Sequence, residues 1–76
     1  MTRSEHIKWC KDRAWKEYEF YKTRDGEQTA RSNAIASMVS DLGKHDETRR
    51  SVQIAAMLML TVTDRASLAR FIDGFN

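Results

Sequence analysis

The chain has no proline in its 76 residues, and its three glycines, Gly26, Gly43 and Gly74, fall where apolar periodicity breaks off. Proline interrupts helices and glycine ends them, so helix is the default wherever apolar residues recur at steps of three and four. The opening "TRSE" has the form of a capping box, in which the Thr2 hydroxyl accepts from the Glu5 amide and the Glu5 carboxylate reaches back to the Thr2 amide. Ile7, Cys10, Ala14, Tyr18 and Tyr21 then form one stripe, predicting a helix over about 3–23. "TRDGEQ" breaks it, with Asp25 a candidate cap for the next helix and Gln28 three residues on.

A second helix over about 28–42 has Ala30, Ala34, Ile35, Met38 and Leu42 inward, widened by Val39. Gly43 is expected just past its end in the left-handed conformation that is cheap only for glycine. Asp46 is then expected to cap a third helix over about 47–61, with Glu47 at its positive end. That helix is apolar nearly all round from residue 54 to 60, which predicts burial on several sides. Thr63 or Asp64 opens a short fourth helix, about 64–73, carrying Leu68, Phe71 and Ile72, with Phe75 after it and Gly74 closing it. Period-two clusters of β-branched residues are absent. The expectation is one all-α domain over 1–76, a compact bundle of three main helices plus a short C-terminal helix. Ile35, Met38, Leu42, Ile54, Leu58, Leu68 and Phe71 should form its core.

A chain this short is near the limit at which one core suffices, and such a core rarely leaves more than about 3–5 kcal/mol. Pairing into a homodimer is therefore an expectation. Thirteen Lys and Arg against eleven Asp and Glu give a formal +2, too little to point to nucleic acid by itself. The single cysteine cannot form an internal disulfide, and "MTRSEHIKWCKDR" has no apolar signal core. The apolar run at 54–60 is far short of the ~18 residues of a membrane span. A cytoplasmic protein without membrane contact is expected.

Chemistry finds little to work with. His6 and Cys10 share a helix face and His45 could approach, but a structural zinc site takes four such ligands and a catalytic one three. No metal and no other cofactor is expected. Cys10 lies on the inward stripe, a poor place for a reactive thiol. With no Gly-rich phosphate loop and little room for a substrate pocket, the chain is read as not an enzyme. The corner "SDLGKHDETRRS", residues 40–51, gathers Lys44, His45, Arg49 and Arg50 near a helix start, where an anion is favoured. Asp46 and Glu47 lie between them, so neutralisation within the corner is the simpler account. On the first helix, Trp9, Arg13, Lys16 and Phe20 recur at four, three and four on the face away from Ile7. Alternating aromatic and cationic groups are enriched in protein interfaces, and a partner surface is the leading reading. Burial under the fourth helix, or stacking on single-stranded nucleic acid, are the alternatives.

"EHIKWCKDRAWKEY", "AIASMVSDLGKHDET" and "ARFIDGFN" together resemble a group of short proteins encoded in tailed-phage and prophage genomes. That group has the pattern EH-x-x-WCK-x-RA, then SM-x-SDL-x-KH-x-ET, then F-I-x-GFN. The resemblance covers nearly the whole chain and departs from the group at "FYKTRDGEQTARSN", more basic than the group's short GD-x-x-NA turn. It brings no activity. It implies a phage-encoded protein in an infected bacterial cytoplasm and, by analogy, host takeover by stoichiometric binding to a host or phage protein, for instance as an inhibitor of host machinery or defence. The runner-up is a nucleic-acid or phosphate-binding accessory protein using Lys44, Arg49 and Arg50.

Overall fold

The computed structural model describes residues 2–75, and Asn76, the last residue of the C-terminal motif, lies outside them. Helix α1, Arg3–Asp25, sets the long dimension. At ~1.5 Å per residue its 23 residues account for the longest extent of the molecule, 33 Å. It begins on the expected capping box, with the Glu5 amide 3.1 Å from Thr2 Oγ1 and the Thr2 amide 3.0 Å from the Glu5 carboxylate.

A single residue, Gly26, separates α1 from α2, Glu27–Leu42. Its φ of 97° and ψ of 167° lie in a region essentially reserved for glycine. The chain reverses there, and α2 returns along α1 in the most extensive contact of the fold. Ala14 of α1 and Ala30 and Ala34 of α2 are fully buried, so the facing surfaces are small enough for close approach. Cys10, Tyr18, Met38 and Leu42 fill the rest of the seam. Asp25 belongs to the last turn of α1 and does not cap α2, which has no side-chain cap.

Helix α3 is Ser51–Leu58, continued by a 3-10 turn at Met59–Thr61, and α4 is Arg65–Asp73. Asp64 caps α4 through the Ser67 amide at 2.8 Å. Leu68, Phe71 and Ile72 of α4, with Phe75 beyond it, close the core at the side of α1 and α2. Among the described residues there is no strand, and the all-α architecture and helix order are as expected.

Three local expectations are corrected. Gly43 is not left-handed: its φ of −74° and ψ of −11° are helical, and the positive φ falls at Gly26 instead. The third helix begins at Ser51 rather than 47, because Thr48 turns inward. Its fully buried hydroxyl donates to the Leu42 carbonyl at 2.7 Å, satisfying the end of α2 and bending residues 44–50 into successive turns. Asp46 therefore caps nothing and pairs with Arg49 at 2.9 Å. Finally, Ile54 and Leu58 are exposed, not core; α3 reaches the interior through Ala55 alone, with Val52 at its edge. Once α1, α2 and α4 are placed, no element remains to cover its outer side. Ile35 is half-buried against the core, while Met38, Leu42, Leu68 and Phe71 are buried as expected.

Gly26→Ala should cost about 1–3 kcal/mol through backbone strain alone, because nothing lies within 4 Å of an added Cβ. Gly43→Ala should be neutral or stabilising by less than about 1 kcal/mol, since its φ suits alanine and the nearest atoms stand at 3.5 and 3.6 Å. Urea denaturation of the two variants reads the difference, and equal costs would refute the assignment of the turn to Gly26.

Candidate functional site

The sequence motifs singled out at residues 5–14 and 37–48 meet in space. At their centre is Asp41, one residue from the end of α2 and only 1% exposed. A carboxylate there is disfavoured twice, by burial and by the negative end of the helix dipole. Two cations offset both effects. Arg13 Nε lies 2.7 Å from one carboxylate oxygen and Lys44 Nζ 3.0 Å from the other, while the Ser37 hydroxyl adds a 3.4 Å contact. The Asp41 backbone carbonyl accepts from His6 Nε2 at 2.8 Å, which fixes the proton on that nitrogen.

His6 is itself buried and is common to two ring contacts, with Trp9 at 5.5 Å and His45 at 5.0 Å between centroids. The Arg13 guanidinium stands 4.9 Å from the centre of the Trp9 ring and the Lys44 ammonium 5.8 Å. His45 Nδ1 accepts from the Glu47 amide at 3.2 Å. The Asp41 carboxylate and the two cations on it thus have their partners within the same corner. Among the described residues no buried side-chain nitrogen or oxygen lacks one.

This geometry decides what the corner can do chemically. Cys10 Sγ lies 3.6 Å from His6 Nε2, but that nitrogen is donating to a carbonyl and cannot serve as a base. Burial, seconded by the Asp41 charge, pushes the Cys10 thiol up to about 11, the opposite of an activated nucleophile. Among the described residues no group of three or more His, Cys, Asp or Glu is placed to hold a metal ion.

The structure divides the Trp9, Arg13, Lys16, Phe20 stripe. Trp9 and Arg13 meet the 41–45 corner, Trp9 half-buried against the core and Arg13 engaged with Asp41 while its side chain stays 43% exposed. The buried arc of α1 includes His6, which brings its edge to Trp9; an inward face drawn through Ile7, Cys10, Ala14, Tyr18 and Tyr21 left His6 out and placed that edge too far away. Lys16 is exposed, and so is Phe20, at 55%, with Tyr21 edge-on at 5.0 Å and Arg24 over its ring at 5.7 Å. Of the second group, Lys44 and His45 belong to the Asp41 corner and Arg49 pairs with Asp46, while Arg50 is exposed. Residues 44–50 form turns, and α3 starts at Ser51 with Arg50 at its N-cap, so Arg49 and Arg50 precede the helix rather than lying in its first turn.

The surface that sequence reasoning missed is on α3. Ile54, Met57, Leu58, Met59 and Leu60 are all exposed, Met57 at 73% and Leu60 at 81%. From Ser51 to Val62 there is no ionisable side chain. The segment forms a ridge between two grooves. One, about 480 Å³, runs against α2 and is lined by Ile35, Ala36, Val39 and Met59 with two serines. The other, about 320 Å³, runs against α4 and includes Ile54, Leu58, Phe71 and Phe75. The signal for it was chain length: so short a chain has too little protein to surround a segment that is apolar on every side.

Asp41→Ala should cost about 2 kcal/mol, toward the low end for breaking a buried pair, because Arg13 and Lys44 keep part of their hydration; urea denaturation measures it, and a neutral result would show that the corner does not hold the fold. Because the thiol ionises near 9.0 when unperturbed and near 11 when folded, the unfolded chain loses its proton first, and stability should fall as pH rises through that window. Cys10→Ala should flatten this decline, and iodoacetamide should alkylate wild-type Cys10 only on unfolding. A stability profile identical in the two proteins would contradict this.

Comparison with family models, with curated proteins and with solved structures finds no match to this chain.

Proposed function

We propose that the protein works by stoichiometric binding to another protein chain, without chemistry of its own, and that α3 with its 3-10 turn is the contact surface. The observation that carries this reading is the uncharged apolar face of residues 51–62, left uncovered while every candidate catalytic group is tied into the Asp41 corner. Apolar patches of more than a few hundred Å² are rare on proteins that stay alone in water. Methionine at such a surface adapts to irregular partners. Met57 and Met59, on either side of Leu58, give the face that adaptability.

The resemblance to tailed-phage and prophage proteins supports an infected bacterial cytoplasm as the setting, and a host or phage protein as the chain that is bound. Among the described residues no helix is long and apolar enough to cross a membrane. Interference with host machinery or defence is the role that a small binder without catalytic groups would play there. Lys16 and Phe20, exposed on α1, are available as a secondary contact.

Affinity capture from a bacterial extract tests the reading when run at low and high salt, with and without nuclease. A bound protein that survives both treatments, and is lost about tenfold or more with Met57→Lys or Leu60→Lys, is the expected outcome. Capture that disappears with nuclease or falls steeply with salt would overturn it in favour of nucleic-acid binding.

A further inference from the structure

We infer that the chain seated on the α3 face is a second copy of this protein, joined about a twofold axis; this rests on the reading of that face as a docking surface. Area is the first argument. Five side chains exposed by between 41% and 81% offer on the order of 500 Å² of apolar surface, taking about 100 Å² for each large aliphatic group. Ala36, Gln53, Ala56 and Thr61, exposed around them, carry the face toward the ~800 Å² per partner of a standard stable interface.

Charge is the second. Residues 51–62 have no ionisable side chain, and the centres of interfaces between identical subunits are the most apolar and the most depleted in charge. Around a twofold axis the uncharged 51–62 segments of two copies can pack on each other without setting like charges together, leaving Arg3 and Arg70 at the edge of the groove against α4. Shape is the third. The ridge that carries Met57 and Leu60 stands beside a groove of about 480 Å³ lined by Ile35, Val39 and Met59. Clefts of ~300–1,000 Å³ admit whole ligands, so the groove of one copy can take the ridge side chains of the other, and the exchange is reciprocal. The last argument is the helix itself. Eight residues are too few for an independently stable helix, and α3 is anchored inward by Ala55 and Val52 only; a second ridge packed on it would supply the outer contacts that the single chain lacks.

Sedimentation velocity across a range of micromolar concentrations, paired with methionine methyl NMR spectra, tests the inference. The expected result is a monomer–dimer equilibrium in which the Met57 and Met59 methyl signals shift with concentration and that of buried Met38 does not. Met57→Lys and Leu60→Lys should each weaken the dimer about thirtyfold, with helical circular dichroism intact because both side chains point into solvent. Gln28→Ala, on the exposed start of α2, should leave it unchanged. A monomer at every concentration, an open-ended assembly, or a dimer indifferent to the lysine substitutions would overturn the inference. If the protein is monomeric and those substitutions still abolish capture of a bacterial protein, the docking reading stands and the second copy falls; if neither assembly nor capture responds, both fall.

Discussion

The structure depends on a negative charge placed where two separate effects oppose it. Asp41 is out of water and at the wrong end of a helix dipole, so it is tolerable only while Arg13 and Lys44 are in contact with its carboxylate. Arg13 comes from α1 and Lys44 from the corner after α2, so satisfying one carboxylate fixes two otherwise independent segments. The His6 bond to the Asp41 carbonyl adds a directional constraint to the electrostatic one. The Lys44 contact holds the first turn after α2 on this carboxylate, and the Thr48 bond to the Leu42 carbonyl then sets where α3 begins.

Seen in this way, the residues that carry the phage-protein resemblance have a structural role before any other. His6, Trp9, Cys10 and Arg13 on one segment, and Asp41, Lys44, His45 and Thr48 on the other, complete each other's hydrogen bonds and ring contacts. Among the described residues the buried polar side-chain atoms are all hydrogen-bonded. The large apolar side chains left exposed are mostly on the outside of α3 and its 3-10 turn.

Much of the fold was legible in the sequence, and the reason is local. Capping at Thr2 and Asp64, the alanine and methionine face of α2 and the Leu68, Phe71, Ile72 face of α4 are each settled within a few turns of one helix, by spacing alone. The site was legible less well. A stripe through Trp9, Arg13, Lys16 and Phe20 can be read from spacing, but which half of it engages the 41–45 corner depends on a segment some thirty residues away. Thr48 is a similar case, since nothing in "HDETRRS" reveals that its hydroxyl will turn back to the Leu42 carbonyl and delay the helix.

The sequence by itself determined that the chain is helical, where most helices start and stop, and that two stretches rich in ring and charged residues lie outside the simple apolar stripes. Those properties follow from hydrogen bonds and side-chain repeats that close within one or two turns. Only the tertiary structure decided that the two stretches are one cluster and that the greasiest segment faces outward. Periodicity reports which side of a helix is apolar, and α3 is apolar on all sides; which side becomes interior is set by what the rest of the chain has left to lay against it.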